Sequence, residues 1–424
     1  MMDLTKAFGI SAEVVRLFEE CENTVLPAFK RIEGIAENNQ WKVMKAFSDN
    51  RVSEAHFVPT YGYGYDDLGR DTLDRVYADV FECEDALVRH QLISGTHTLS
   101  TAFFGILRPG DILLSATGRP YDTLEEVIGS GGEIGDGSLR DFGIKYMEIN
   151  LLPDGEPDMA SIMKALDENK IRMVLIQRSK GYGDRPTYSA EKIGTIISAV
   201  KTKSPQTLCM VDNCYGEFVD EHEPTAFGAD IICGSLIKNP GGGIAPTGGY
   251  IAGKSELVEK CACRLTSVGI GREAGASLGF NKLAYQGLFF APHVVSNAVK
   301  SAVLAACVFE KLGFEAEPAW NEERHDIIEA IRLGSADKLV AFCAGIQKGA
   351  PVDSFVEPKP WAMPGYSDEV VMAAGAFNQG ASIELSADGP IREPYIGYLQ
   401  GGLTYESAKL GLMVAAQNLI NLNK

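Results

Sequence analysis

Hydrophobic and polar positions change their spacing along the chain. From about Ile10 to Phe47, apolar residues recur at helical intervals, which predicts a long amphipathic helix. A loop rich in glycine and tyrosine, PTYGYGYDD, follows and leads into a second helix-like segment. We therefore predict an N-terminal helical segment over residues 1–60.

Beyond about residue 87, short apolar runs alternate with longer amphipathic segments. The runs are DILLSAT, IKYMEIN, MVLIQRS, LCMVDN, DIICGS and GGYIAG. The segments between them, such as GTHTLSTAFFGIL and SAEKIGTIISAVKTK, have the length and periodicity of helices. This alternation indicates βαβ units and a mostly parallel sheet with both faces covered. We predict a large α/β domain over residues 61–292.

A third region begins near His293. The helical segment VVSNAVKSAVLAACVFEKLG leads into the strand-like runs VVMAAGAF and SIELSAD, and a last helix lies near LTYESAKLGLMVAAQNLI. This order predicts a smaller α+β domain over residues 293–424.

Composition and charge narrow the classes of partner. The 424 residues include 57 acidic and 39 basic side chains, with a net charge of −18. This balance argues against nucleic acid and anionic membranes, which both bind clustered Lys and Arg. We find no secretory signal, and no apolar run approaches membrane-spanning length. The nine cysteines, an odd number, indicate reduced thiols and a cytoplasmic protein. The closest pair, Cys261 and Cys263, lacks metal-site spacing, so we predict no metal.

Two predicted strands end in residues that can carry chemistry. Asp212 ends LCMV, and Ser235 ends DIICGS, with Lys238 following in SLIKNPGGGIAPTGGY. Parallel strands bind ligands at their carboxyl ends, so Asp212 and Lys238 should emerge at the same edge of the sheet. A catalytic amine, a buried structural lysine and a nucleotide-phosphate loop all remain open for this stretch. The loop motif G-x-x-x-x-G-K-[ST] is absent.

Two further segments could meet a ligand. Ser94-Gly95-Thr96 lies at a helix start, where free N–H groups can hold a phosphate, although a capped helix with Thr96 or Thr98 as the cap is an equal alternative. Tyr121 opens a helix after the strand DILLSAT and could stack on a planar cofactor or be a half-buried core residue.

The order of these features resembles the fold-type I pyridoxal phosphate (PLP) enzymes. It is most similar to the Cys/Met metabolism group, which contains the cystathionine lyases and methionine γ-lyases. The stretches GSLIKNPGGGIAPTGGYI, VDNCYGEFV and PYDTLEEVIG resemble the methionine γ-lyase-like branch often labelled aluminium-resistance proteins. The resemblance runs over nearly the whole chain and implies an aspartate aminotransferase-like α/β fold.

The resemblance also implies a role for each candidate residue. Lys238 would form a Schiff base with PLP and then move the substrate Cα proton. Asp212 would pair with the pyridinium nitrogen, and Tyr121 would stack on the ring and protonate the leaving thiol. Arg392, in GPIREPYIGY, would clamp the substrate carboxylate. The phosphate would be held by Ser94, Gly95, Thr96 and Ser235.

The chain departs from the family pattern at several positions. Ile237 stands where the lyases carry a phosphate-contacting Thr. Tyr65 matches the tyrosine of a Tyr-x-Arg motif that reaches the neighbouring subunit's phosphate, but Asp67 stands in place of the arginine. Arg70 is a possible substitute. Arg178, in QRSKGYGDRP, is a further candidate for contacting the cofactor or the substrate carboxylate.

By resemblance, the function is a PLP-dependent carbon–sulfur lyase. It would act on a sulfur-containing L-amino acid by β- or γ-elimination, releasing ammonia, a thiol and a 2-oxo acid. Active sites of the family lie between subunits, which implies a homodimer or a dimer of dimers. Two alternatives remain: a PLP-dependent aminotransferase or aldolase, and a nucleotide-binding regulatory α/β protein in which Lys238 is structural.

Overall fold

The structure, a computed structural model, describes residues 2–131, 134–183, 185–363 and 368–422. It divides into two compact units. One comprises Met1–Asn38 with Phe290–Lys424, and the other comprises Asn39–Phe289. The predicted boundary near residue 293 lies close to this division, whereas residues of the predicted segment 1–60 belong to both units.

The helices and strands of the described residues are as follows. The helices are α1 (Leu4–Phe8), α2 (Ala12–Asp49), α3 (Leu68–Val80), α4 (Gly95–Ile106), α5 (Thr123–Ile128), α6 (Met159–Glu168), α7 (Ala190–Lys203), α8 (Ser255–Leu265), α9 (Phe280–Lys311), α10 (Ala336–Gly349) and α11 (Tyr405–Leu422). The strands are β1 (Asp85–Arg89), β2 (Ile112–Ser115), β3 (Lys145–Glu148), β4 (Met173–Gln177), β5 (Leu208–Asp212), β6 (Ile231–Ser235), β7 (Gly249–Gly253), β8 (Glu315–Glu317), β9 (Ile328–Arg332), β10 (Trp361–Ala362), β11 (Glu369–Ala373), β12 (Ser386–Pro390) and β13 (Ile396–Gln400).

The unit Asn39–Phe289 is built on a mixed sheet with the strand order β1-β7-β6-β5-β4-β2-β3. The neighbours from β6 to β3 are parallel, and β7 runs antiparallel to both β6 and β1. Every residue of β4, β5, β6 and β7 is buried. Such uninterrupted burial is typical of strands covered by helices on both faces. The prediction of a mostly parallel, doubly covered sheet is confirmed.

The sequence pattern did not reveal β1. Its residues, DALVR, have charged ends and little periodicity, and their sheet partner β7 lies far along the chain. A buried ion pair anchors the strand, with the Arg89 Nη1 atom 2.7 Å from the Asp74 Oδ1 atom. The same Oδ1 atom accepts a hydrogen bond from the Val88 backbone N–H. A strand defined by such non-local contacts leaves a weak trace in the sequence.

The position of α4 is set by packing on the sheet and on α8. Phe103 of α4 and Leu257 of α8 belong to one buried cluster with the strand residue Met210. Gly105 lets the two helices approach closely, because a methyl group placed on it would lie 3.1 Å from the Lys260 carbonyl oxygen. The N-terminus of α4 is therefore held by the core.

The other unit contains an antiparallel sheet with the order β10-β11-β12-β13-β9-β8. Helices α10 and α11 pack on each other. The smaller α+β domain predicted for the C-terminal region is confirmed. The run SIELSAD forms a strand only from Ser386 onward, later than the pattern indicated.

Helix α9 corrects the expectation that no apolar run approaches membrane-spanning length. It is long and apolar enough to cross a membrane by length and composition alone. However, 89% of its most apolar window is buried inside the protein. Such burial is typical of the core helix of a globular protein.

The contact between α10 and α11 should tolerate no side chain at Gly345. A methyl group there would lie 2.3 Å from the Ala415 Cα atom, so we expect Gly345→Ala to lower the free energy of unfolding by about 1–3 kcal/mol. Gly34→Ala is the matched control in α2, since no heavy atom lies within 4 Å of its added methyl group. The control should be neutral or stabilising by up to about 1 kcal/mol. Denaturant unfolding measures both, and equal effects would contradict the packing argument.

Candidate active site

The carboxyl ends of β5 and β6 bring two predicted residues to one edge of the sheet. Asp212 is the last residue of β5 and pairs with Cys233 of the parallel β6. Ser235 ends β6 and is fully buried. Lys238 follows after a short turn, in which its N–H donates to the Ser235 carbonyl oxygen at 3.3 Å. The same-edge arrangement expected from the sequence is therefore present.

The start of α4 lies against this edge. A methyl group placed on Gly95 would lie 3.2 Å from the Cys214 Sγ atom, 3.8 Å from the Ser235 Cβ atom and 3.9 Å from the Lys238 Nζ atom. A side chain at this position would crowd the Cys214 Sγ atom, and glycine keeps the space beside the amine open. The first N–H groups of a helix have no acceptor within the helix and point outward along its axis. The site thus combines an amine with the positive end of a helix.

Ser94 is the N-cap of α4, and its Oγ atom accepts a hydrogen bond from the His97 N–H at 3.0 Å. The capped-helix reading is correct as a local description, but the cap is Ser94 rather than Thr96 or Thr98. The Thr96 hydroxyl lies 2.7 Å from the Thr123 hydroxyl, which links the α4 start to α5. Capping and ligand binding are compatible, because the cap uses only one of the exposed N–H groups.

Tyr121 lies beside the same region, just before α5. Its N–H donates to the Gln177 Oε1 atom at 2.7 Å, and its ring centroid is 6.4 Å from that of Tyr182. Gly181 is close to the Tyr121 ring, since an added methyl group would lie 3.3 Å from Cδ2. The side chain is half-buried. Its ring therefore remains accessible near the strand ends.

The environment of Lys238 favours a charged amine. The Nζ atom lies 4.0 Å from the centroid of the Tyr215 ring. Burial lowers the pKa of the Lys238 ammonium, but Cys214, Tyr215 and Asp212 outweigh burial, so the net pKa is raised. The cation therefore persists at neutral pH when nothing is bonded to the amine.

Asp212 supplies a buried carboxylate to the site. Its Oδ1 atom accepts the Cys214 N–H at 3.2 Å. Burial raises the pKa of the Asp212 carboxyl, while the Lys238 ammonium opposes that rise. A carboxylate in this setting is stabilised by a cationic partner.

The glycines after Lys238 form a packing turn. Asn239–Gly241 is a 3₁₀ turn, followed by Gly242 and Gly243 with φ values of 55° and 71°. A methyl group on Gly241 would lie 1.6 Å from the Leu236 carbonyl oxygen. These glycines thus serve backbone conformation and close approach, which removes the main support for a nucleotide-phosphate loop.

Arg178 requires a correction. Its side chain is fully buried, and its guanidinium donates to Asp220 Oδ2 at 2.7 Å, to Glu223 Oε2 at 3.0 Å and to Asn213 Oδ1 at 2.7 Å. These partners take both terminal nitrogens of the guanidinium, and its full burial argues against the expected contact with the cofactor or the substrate carboxylate. An arginine that follows a strand can bind a ligand or pair with carboxylates of the protein itself. The sequence does not distinguish these two cases, because it does not show which carboxylates lie next to the arginine.

Asp67 and Arg70 have local partners rather than a phosphate. Asp67 is the N-cap of α3, where it accepts the Arg70 N–H at 2.8 Å and the Asn281 side-chain amide at 3.0 Å. Arg70 is buried, with its Nη1 atom 2.7 Å from the Gly64 carbonyl oxygen. Arg70 is therefore not a substitute phosphate ligand within its own chain. Tyr65 is 58% exposed and stacks on Tyr63, at 5.4 Å between ring centroids.

Arg392 lies in the unit that contains Phe290–Lys424. It lies two residues beyond the end of β12, and its Nη1 atom is 3.0 Å from the Asp368 Oδ2 atom. Half of its side chain is exposed. Its assignment to the substrate carboxylate stays a prediction.

Sequence reasoning overlooked the segment that follows Asp212. Cys214 and Tyr215 lie against Lys238, and Glu217, two residues after Tyr215, is fully buried. The Tyr250 hydroxyl donates to the Glu217 Oε1 atom at 2.8 Å. Burial and the nearby Glu223 raise the pKa of Glu217 to about 8. The unusual run Asn-Cys-Tyr-Gly-Glu after a strand-end Asp was the available signal.

A profile of the family described as methionine gamma-lyase matches residues 14–420. The chain belongs to the methionine gamma-lyase family. It is 52% identical to the uncharacterized protein YnbB of Bacillus subtilis (strain 168), over 95% of both chains.

Solved structures of high identity share the family's fold. One is a carbon-sulfur lyase involved in aluminium resistance from Clostridium novyi NT, with 50% identity, a TM-score of 0.95, and coverage of 99% of this chain and 100% of that chain. Another is a proposed cystathionine beta-lyase involved in aluminium resistance from Listeria monocytogenes str. 4b F2365, with 53% identity, a TM-score of 0.94, and coverage of 95% and 99%.

More distant structures agree on the fold alone. The PLP-dependent protein YhfS of Escherichia coli is 14% identical, with a TM-score of 0.61 over 91% of this chain and 96% of that chain. The predicted fold-type I architecture is therefore confirmed.

Glu217 should make the stability of this family member depend on pH. Between its usual pKa of 4.5 and about 8, the folded state holds one proton more than the unfolded state. The free energy of unfolding should therefore fall as pH rises through this window, by up to about 1.4 kcal/mol per pH unit. Glu217→Gln, which keeps an acceptor for Tyr250, should remove this slope.

Urea unfolding from pH 5 to pH 9 measures the difference between wild type and Glu217→Gln. Glu126→Gln, at an exposed position of α5, is the matched control and should follow the wild-type profile. Parallel profiles for wild type and Glu217→Gln would contradict the assignment.

Proposed function

We propose that this protein is a PLP-dependent carbon–sulfur lyase acting on a sulfur-containing L-amino acid. The observation that carries the proposal is the convergence of the Lys238 amine, the buried Asp212 carboxylate and the α4 N-terminus at Gly95. The family membership and the lyase descriptions of the solved relatives support the same reaction class. The aminotransferase, aldolase and nucleotide-binding alternatives have no comparable support.

The residues present fit PLP by their chemistry. A phosphate group suits the exposed N–H groups of Gly95 and Thr96 at the positive end of α4, with the Ser235 hydroxyl nearby. The buried carboxylate of Asp212 suits the protonated ring nitrogen, and the Lys238 amine suits the aldehyde. Gly95 leaves the space that a side chain would fill.

When bound, PLP supplies an electron sink that stabilises negative charge at the substrate Cα atom. The Lys238 Nζ atom would carry the cofactor and afterwards hold the proton removed from Cα. Asp212 would keep its charge by pairing with the ring nitrogen. These two residues thereby divide proton transfer and charge stabilisation between them.

Two residues would act on the substrate. Tyr121 would stack on the cofactor ring and offer its hydroxyl proton to the leaving thiolate. Arg392 is our candidate for the substrate carboxylate, since a guanidinium binds a carboxylate through two parallel hydrogen bonds.

We propose a homodimer, or a dimer of dimers, as the working state. Tyr61, Tyr63 and Tyr65 are 72%, 70% and 58% exposed. Their loop is held in place by the neighbouring segment, where Gly275 N–H donates to the Tyr63 carbonyl oxygen at 2.8 Å. A group of exposed aromatic rings is typical of a protein interface. Tyr65 would reach the partner's phosphate site, as in the related enzymes.

We also propose a cytoplasmic location. The nine cysteines are free thiols in the structure. Free thiols persist in a reducing compartment.

The first test is covalent attachment of PLP to Lys238. Wild-type protein incubated with PLP should gain a visible absorption band, and borohydride reduction should fix the cofactor on Lys238 in a peptide map. Lys238→Ala should show neither, while Lys254→Ala, which removes an exposed lysine paired with Asp230, should behave as wild type. Covalent fixation in Lys238→Ala would overturn the proposal.

The reaction is tested in parallel with cystathionine, methionine and cysteine. Release of ammonia together with a thiol is expected, and Lys238→Ala should lower kcat by about 10³-fold or more because the proton-transfer group is lost. Amino transfer to an oxo acid as the main activity would contradict elimination.

The tyrosine loop provides the test of assembly. Tyr63→Asp should place a charge in the interface and shift the protein towards monomer, with the dimer Kd raised at least about tenfold. Phe355→Asp, at a residue that is 85% exposed in the other unit, is the control. Sedimentation velocity measures both, and an unchanged dimer in Tyr63→Asp would place the interface elsewhere.

A further inference from the structure

Tyr215 combines an unusual backbone with a defined contact. Its φ angle is +74°, in the left-handed region that residues other than glycine, asparagine and aspartate rarely adopt. The Lys238 Nζ atom lies over its ring, 4.0 Å from the centroid. A non-glycine residue is kept in such a conformation when the surrounding structure holds it there.

The chain on both sides of Tyr215 is fixed. The Asn239 side-chain amide, next to Lys238 in sequence, donates to the Tyr215 carbonyl oxygen at 2.9 Å and to the Glu217 carbonyl oxygen at 3.0 Å. Gly216 lies against the buried Arg178, since an added methyl group would be 2.4 Å from the Arg178 Cδ atom. The backbone that carries the Tyr215 ring is therefore held in place beside Lys238.

The groups facing Lys238 come from several elements. Asp212 ends β5, and Cys214 and Tyr215 follow it in the loop; all three raise the pKa of Lys238. Glu217 follows in the same loop, and the Lys238 ammonium opposes the rise in its pKa. Gly95, at the start of α4, also faces the amine, and the positive end of this helix disfavours a cation. Burial raises the pKa of the Cys214 thiol well above its usual value, and the Lys238 ammonium opposes that rise.

An aromatic face suits an amine that must change partners. The ring attracts an ammonium ion through its quadrupole. It offers no lone pair comparable to a carboxylate oxygen, so it does not take the proton. The ring face therefore holds the amine in its charged form without taking its proton.

We propose that Tyr215 is a positioning residue whose ring face holds the Lys238 amine near Gly95 whenever the amine is not bonded to the cofactor. The proposal rests on the proposed function for its purpose, but the contact itself exists in the protein without cofactor. Loss of the ring should release the amine from this position and destabilise its charged form.

The experiment compares two substitutions in the full-length protein freed of PLP. Tyr215→Asn removes the ring and fits the left-handed backbone, since asparagine tolerates that region well. Tyr215→Phe keeps the ring and removes only the hydroxyl. Tyr146→Asn is the control, because Tyr146 lies on β3 and its hydroxyl donates to Glu148.

The readout is the apparent pKa of Lys238, obtained from competitive acetylation with acetic anhydride across pH and peptide mass spectrometry. Tyr215→Asn should lower this pKa by about one unit. Tyr215→Phe should lower it less than Tyr215→Asn does, because the ring face remains and only the hydroxyl that also hydrogen-bonds the amine is lost. Tyr146→Asn should leave it within a few tenths of a unit. In addition, the pH profile for attachment of added PLP should move to lower pH most in Tyr215→Asn.

An unchanged Lys238 pKa in Tyr215→Asn would overturn the proposal. An equal decrease in Tyr215→Phe would also overturn it, since the hydroxyl rather than the ring face would then hold the amine. Either result would leave covalent attachment of PLP to Lys238 intact. Conversely, a failure of PLP to attach to Lys238 would contradict the proposed function without altering the comparison of Lys238 pKa values.

Discussion

The site depends on one constraint, which is that a positively charged amine and the positive end of a helix lie within a few ångströms of each other. Lys238 and the N-terminus of α4 meet at Gly95, where a side chain would crowd the Cys214 Sγ atom and fill the space beside the amine. Such an arrangement is unfavourable for the amine alone and requires negative partners. Asp212 and the ring of Tyr215 supply them, and an anionic ligand at the helix start would complete the balance.

The buried charges beneath the site have a supporting role. Arg178 binds Asp220, Glu223 and Asn213 with its side chain fully buried. A buried charge cluster of this kind adds little net free energy to folding, because removing the charges from water offsets their attraction. Its main effect is to fix the geometry of the residues that it joins. Here it orders the loop after β5, because Gly216 packs directly on the guanidinium. The loop in turn presents Cys214 and Tyr215 to Lys238.

Much of the fold was predictable because its strands are local, apolar runs. DILLSAT, LCMVDN and DIICGS became β2, β5 and β6, since burial on both faces leaves an uninterrupted apolar signature. The strand β1 and the burial of α9 were not predictable in this way. The strand is stabilised by pairing with β7 and by the buried Arg89–Asp74 ion pair. The burial of α9 depends on how the rest of the chain packs around this long helix.

The sequence by itself determined which residues reach the strand ends, because chain order and the direction of parallel strands place Asp212, Ser235 and Lys238 at one edge. Only the tertiary structure decided the fate of charged side chains that can point in several directions. Asp67 became a helix cap and Arg178 a buried ion-pair centre. Partner choice among charged groups depends on distances of a few ångströms between segments remote in sequence, and residue spacing along the chain carries no record of those distances.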